Sequence, residues 1–154
     1  MKFESISLAA SLLKKGEVIA IPTDTVYGLV CLPEFPEAIE RIYTLKGRPK
    51  DKKLITLTLT PPPPPATLKP LADLHWPGAL TLIINGHGYR IPNHPITLAL
   101  LKEVGPLLST SANRSGEKAA TTPDEITLPV PILIGGPPPS GTPSMIVSEA
   151  GTLR

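Results

Sequence analysis

The sequence predicts one mixed α/β domain built in three layers, a twisted sheet with both parallel and antiparallel strands between helices. Three observations carry this. Apolar segments with helical spacing interleave along the whole chain with short apolar or period-2 segments of strand length. The 154 residues are close to the usual size of a single domain, so one unit over 1–154 is expected. A content of 41% hydrophobic and 18% charged residues permits a packed core and excludes wholesale disorder.

The elements follow in order. Ser5 or Ser7 can cap a first helix whose apolar residues run from Leu8 to Leu13 and which stops at Gly16. Val18 to Ile21 is a fully apolar strand ending at Pro22, the pattern of a buried strand that delivers a loop, here Thr23-Asp24-Thr25. Pro36 opens a second helix with Ile39, Ile42, Tyr43 and Leu45 on one face; Gly47 closes it, presenting Lys46 and Arg48 at its end. Leu54 to Leu59 alternates Ile55, Leu57 and Leu59 with Thr56 and Thr58, which predicts a half-buried strand. Pro61 to Pro65 then forms a stiff polyproline connector.

A short helix near Leu68 to His75 and the turn Trp76-Pro77-Gly78 lead to a strand over 79–84. The Asn85-Gly86 turn pairs that strand with Tyr89-Arg90-Ile91. Pro95 and Gly105 bound a third long helix. A strand over 107–109 enters a small-residue polar loop, Thr110 to Gly116, and two further short strands are expected at 132–134 and 145–147.

Composition narrows the function classes. Uncharged stretches are broken by Pro or Gly before the roughly 18 apolar residues a spanning helix needs, and the N-terminus makes a poor secretory signal, so the expected location is the cytoplasm. Cys31, the only cysteine, has no partner for a disulfide or a zinc site and is read as an apolar filler. His75, His87 and His94 are scattered and read as surface or cap residues. A net charge of +2 is compatible with anionic ligands but does not itself mark a nucleic-acid binder. Proline, 21 of 154 residues, is far above the average of roughly 5% and stiffens many loops.

Three clusters could carry chemistry. Thr23-Asp24-Thr25 with Gly28 offers hydroxyls on a backbone fixed by Pro22. Lys46, Arg48, Lys50, Lys52 and Lys53 form a dense positive patch suited to polyphosphate. Ser109 to Asn113 with Ser115 and Gly116 supplies small donors and a loop backbone able to form an anion-binding concavity. Walker, dinucleotide-binding, Ser-His-Asp and His-Glu metal motifs are absent.

Taken in order, PTDTVYGL at 22–29, IYTLKGRPKDK at 42–52, WPGALTLII at 76–84, RIPNHPITLALL at 90–101 and STSANRSGEKAATT at 109–122 resemble one family. It is the YrdC/TsaC family of threonylcarbamoyl-AMP synthases, and the resemblance extends through SGTPSMIV to the closing TLR. It implies a YrdC-like three-layer fold with a concave basic cleft. It also implies an enzyme that condenses L-threonine, bicarbonate or CO₂, and ATP to threonylcarbamoyl-AMP and pyrophosphate, for the threonylcarbamoyladenosine modification of tRNA. Proteins that transfer the threonylcarbamoyl group to tRNA are the implied downstream partners.

Carried over by position, Thr25, Arg90, Ser109 and Ser144 are expected to hold threonine. Lys46, Arg48 and Lys52 would meet the nucleotide phosphates, with Lys46 and Arg48 as electrostatic catalysts, while Ser111, Asn113 and Arg154 complete the ATP site. Mg²⁺ would be held mainly by phosphate oxygens.

Several positions depart from the family pattern. The prolines at 61–65 replace a longer helical segment, Asn85-Gly86 replaces a longer loop, and Leu57 and Ala119 stand where some relatives are polar. A short single-domain form ending at Arg154 is expected. Two alternatives stand beside the synthase: an RNA-binding or ribosome-associated module using the same basic cleft on tRNA or double-stranded RNA, and a carbamoyl-transfer module of the hydrogenase-maturation kind.

Overall fold

The computed structural model describes residues 1–154, and its ten strands form one mixed sheet. Strand β1 (Lys2–Phe3) precedes helix α1 (Ile6–Lys14), whose first turn is capped by Ser5 Oγ accepting from the Leu8 amide. Strands β2 (Ile19–Ile21) and β3 (Gly28–Cys31) are an antiparallel pair on either side of the 22–27 loop. Helix α2 (Pro36–Lys46) ends at Gly47, which takes the left-handed conformation, φ 63°. After β4 (Ile55–Leu57) and α3 (Lys69–His75), β5 (Leu80–Ile84) and β6 (His87–Arg90) form a hairpin with Asn85 and Gly86 both at positive φ. Helix α4 (Pro95–Val104), β7 (Leu107–Ser111), β8 (Ile132–Leu133), β9 (Met145–Ser148) and β10 (Gly151–Thr152) complete the chain.

Across the sheet the order is β1-β8-β2-β3-β7-β4-β6-β5-β9-β10. Parallel pairs β1/β8, β2/β8, β4/β6 and β5/β9 stand beside five antiparallel ones, so the sheet is mixed as the sequence predicts.

Helices cover both faces. Ile19 and Ile21 pack with Ala9 and Leu13 of α1 and Leu100 and Leu101 of α4, while Val18 and Ala20 point the other way, into a cluster with Ala38 and Ile42 of α2 and Ile126 to Val130. Strand β2 is apolar at every position because both of its faces are covered. Leu68 and Ala72 in and beside α3 pack on Leu80, Leu82 and Ile84. Burying each such leucine side chain contributes about 1.5–3 kcal/mol.

The structure corrects several local expectations. Strand β3 lay unread in the sequence. Strand β4 stops at Leu57: Leu59 is exposed, and Thr58, the residue expected to face solvent, is buried. Strand β7 continues through Thr110 and Ser111, placing the start of the expected polar loop in the sheet. His94 is a cap but not a surface residue, since its Nδ1 accepts from the Ile96 amide inside the protein. Pro61 to Pro65 take up neither helix nor strand. No helix is long and apolar enough to cross a membrane.

Candidate functional site

The sheet's alternation builds the site. Leu80, Leu82 and Ile84 of β5 turn toward α3, so Thr81 turns to the opposite face. There it joins Ile55 and Leu57 of β4, Arg90 at the end of β6, and Ser109 and Ser111 of β7 in lining a cleft of about 790 Å³. Registers bring these together from distant sequence: Ile55 pairs with Ser109, Leu57 with Arg90, and Gly28 with Ser111. Gly28 matters sterically, because a Cβ there would sit 3.1 Å from Ser109 Oγ. The 140–144 segment lines the cleft and is tied to the 22–25 loop by amides of Ser140 and Gly141 donating to the Asp24 and Thr25 carbonyls, at 3.0 and 2.8 Å.

One end of the cleft is built around Arg90, which is 4% exposed. Its Nε donates to the Gly78 carbonyl at 3.0 Å, its Nη1 to Thr25 Oγ1 at 2.9 Å, and its Nη2 forms an ion pair with Asp24. Burial and the nearby Arg154 pull its pKa down from the ordinary value, while Asp24 opposes that. The Ser144 hydroxyl stands 2.9 Å from Thr81 Oγ1, and Arg154 donates to Ser144 through Nε and Nη2. Arg154 reaches this position because β10 folds back antiparallel on β9, so the residue expected in the ATP group stands instead on Ser144 near Arg90.

At the other end Arg48 donates from Nε to the Lys52 carbonyl at 3.0 Å, from Nη2 to the Lys53 carbonyl at 2.8 Å, and from Nη1 to Thr110 Oγ1 at 3.2 Å. Tyr43 Oη also donates to the Lys52 carbonyl. These bonds fold the basic segment after Gly47 against β7. Arg48 and Lys53 therefore line the cleft, joined there by Lys118 from beyond β7, while Lys52 is exposed and does not.

Lys46 is placed differently from the expectation of a phosphate-facing charge. It is 3% exposed, does not line the cleft, and donates to the Ser111 and Asn113 carbonyls at 2.6 and 2.8 Å. Its own carbonyl accepts from the Ser115 amide. Lys46 thus pins the loop that presents Ser111 and Asn113 to the cleft. Asn113 Nδ2 donates to the Arg114 and Glu117 carbonyls, leaving Oδ1 buried without a partner.

Thr25, Arg90, Ser109, Ser144, Arg48, Ser111, Asn113 and Arg154 all line the cleft; Lys46 and Lys52 do not. Leu57 and Ala119 line it too. Residues that the sequence reading left without a role include Thr81, hidden in an apolar strand, and Lys118, inside the 109–122 motif, whereas Lys53 was read only as one member of the basic patch.

Burial, with the adjacent Arg48, lowers Lys46 from the ordinary 10.5 to about 8. Between those values the unfolded chain holds a proton that the folded chain has lost, so unfolding takes one up and the Lys46 contribution to stability rises with pH across that window. Comparing the wild-type chain with Lys46→Met by urea unfolding at pH 7.5, 9 and 10 checks this. The wild type should gain relative stability toward pH 10; identical pH slopes would contradict it.

Comparison with known proteins decides the family. A family model for Sua5, YciO and YrdC proteins, described as "Telomere recombination", matches residues 11–153. The chain belongs to this family. A Bacillus subtilis threonylcarbamoyl-AMP synthase is 36% identical over 176 residues, covering 96% of this chain and 51% of the relative. A Vibrio parahaemolyticus threonylcarbamoyl-AMP synthase is 36% identical over 138 residues, covering 74% of this chain and 75% of the relative. The chain thus spans about half the length of the first relative and three quarters of the second. P. abyssi Sua5 complexed with L-threonine superposes with a TM-score of 0.86 at 28% identity, over all of this chain and 56% of that one. E. coli YciO shares the fold, with a TM-score of 0.75 at 24% identity, over 96% of this chain and 87% of that one.

Proposed function

We propose that this family member condenses L-threonine, bicarbonate and ATP to threonylcarbamoyl-AMP with release of pyrophosphate. The observation that carries the reading is a single cleft with two different polar ends. One is a guanidinium surrounded by small hydroxyls, suited to an amino acid; the other, with Arg48, Lys53 and Lys118, is suited to a polyphosphate. The threonine held by P. abyssi Sua5 and the activity named for the bacterial relatives support it.

In this reading Arg90 and Thr25 receive the threonine carboxylate, with Ser109 and Ser144 completing the pocket. Threonine's amine, once deprotonated, attacks the carbon of CO₂ or bicarbonate to give a carbamate, with a proton released to solvent in the CO₂ case and water in the bicarbonate case. A carbamate oxygen then attacks the α-phosphorus in line as the bond to pyrophosphate breaks. Arg48 neutralises charge that develops on the phosphates, and Ser111 and Asn113 hold the nucleotide. Lys46 serves the same end of the cleft through the loop it pins. The exposed Lys52 takes part only if its side chain swings inward.

Magnesium fits as part of the substrate Mg-ATP. Glu117 is the only side-chain carboxylate lining the cleft, and no cluster of three or more His, Cys, Asp and Glu side chains is arranged to hold a metal. The ion would therefore be held largely by phosphate oxygens. The adenylate product would pass to proteins that transfer the threonylcarbamoyl group to tRNA.

The test is pyrophosphate release from Mg-ATP and bicarbonate with L-threonine, L-serine or no amino acid. Release that needs both threonine and bicarbonate is expected. A folded chain that binds ATP yet releases nothing would overturn the proposal, and RNA affinity with its salt dependence would be measured next.

A further inference from the structure

Asp24 belongs to the first motif but does not line the cleft. Its carboxylate pairs with Arg90 Nη2 from behind. Of the five N–H bonds of the Arg90 guanidinium, one on Nε goes to the Gly78 carbonyl, one on Nη1 to Thr25 and one on Nη2 to Asp24. One N–H remains on each terminal nitrogen, the number a substrate carboxylate accepts. Gly78 and Thr25 are neutral acceptors, so Asp24 supplies the one ion pair among the three bonds that fix the guanidinium plane.

Asp24 also sets the potential of this end. Without it, Arg90 and the neighbouring Arg154 would present two uncompensated cations to the same cleft, as attractive to a phosphate as to a carboxylate. With it, the pair of arginines and one aspartate carry a single net positive charge, matched to one carboxylate. On this charge balance the polyphosphate would go to the Arg48 end and the carboxylate of the zwitterionic amino acid to the Arg90 end.

We propose that Asp24 is a positioning and specificity residue, holding Arg90 as a carboxylate clamp and keeping polyphosphate out of the amino-acid end of the cleft. This rests on the threonine-dependent synthase reading above.

The test compares wild type, Asp24→Asn and Asp24→Glu for threonine affinity by calorimetry and for KM of threonine and of ATP in pyrophosphate release. Asp24→Asn keeps the backbone carbonyl that holds Ser140. It should raise the Kd and KM for threonine roughly 10- to 100-fold, the range expected for losing a bond between charged groups. The KM for ATP should stay within about twofold, and kcat should fall far less than the threonine terms rise. Tripolyphosphate should become a competitive inhibitor against threonine in Asp24→Asn only, and Asp24→Glu should restore most of the affinity.

Unchanged threonine affinity in Asp24→Asn would overturn the proposal. So would equal losses for threonine and ATP accompanied by a lower melting temperature, which would mark a merely structural role. A wild-type chain that binds threonine but forms no product would overturn the synthase reading, while the affinity comparison would still decide Asp24. A wild type that binds no threonine would overturn both.

Discussion

Arg90→Met is expected to abolish threonine-dependent turnover, lowering kcat/KM for threonine by at least about 100-fold, because two charge-assisted bonds to the substrate carboxylate are worth on the order of 3 kcal/mol together. The same substitution should destabilise the fold. Arg90 is buried, and removing it strands the Asp24 carboxylate, while the Gly78 carbonyl keeps the Leu80 amide and the Thr25 hydroxyl keeps Thr23 Oγ1. Breaking a buried pair by deleting one partner costs about 3–5 kcal/mol, and Asp24, whose side chain is 18% exposed, places this case toward the low end. Arg90→Lys separates the two effects. It keeps the charge beside Asp24 but loses the planar fork, so the melting temperature should recover while threonine KM stays high. Turnover with normal threonine KM in Arg90→Lys would contradict the role given to the guanidinium.

Arg48→Ala should cripple turnover and leave the fold standing. Its guanidinium is half-buried at the cleft and organises the Lys52 and Lys53 carbonyls, a segment at the surface whose loss costs little stability. Removing a donor aimed at developing phosphoryl charge typically lowers kcat by about 10²–10³. The expected result is a folded variant with kcat reduced in that range and a threonine Kd close to wild type. A folded Arg48→Ala with near-normal turnover would remove Arg48 from the chemistry.

Local signals were legible in the sequence and long-range ones were not. Pro36 and Gly47, Pro95 and Gly105, and the Asn85-Gly86 turn marked their elements because each acts through its own backbone conformation. Strand β3 escaped because it begins at a glycine and is buried at every position, so it carries neither alternation nor a turn signal at its start. The two-residue strands β1 and β10 exist only through their partners β8 and β9. Thr110 and Ser111 read as loop because small polar residues seldom fill a strand's interior face; here they face a cleft and not a core.

The site divides the same way. Family motifs named the residues that line the cleft, but nothing in KGRPKDKK says that Lys46 turns inward to two carbonyls 65 and 67 residues away, or that Lys53 and not Lys52 faces the cleft. Those choices follow from where α2 ends against β7 and from Arg48 and Tyr43 drawing the Lys52 carbonyl toward themselves. The Asp24 pairing was equally invisible, since Arg90 lies 66 residues further on.

In the proposed reaction one cleft joins an amino acid to a nucleotide through bicarbonate carbon. Incubating the chain with Mg-ATP, L-threonine and ¹³C-bicarbonate and following the adenylate by mass spectrometry tests it directly. Labelled threonylcarbamoyl-AMP should form only when all three substrates are present. A folded, ATP-binding chain that yields no labelled adenylate would contradict the account.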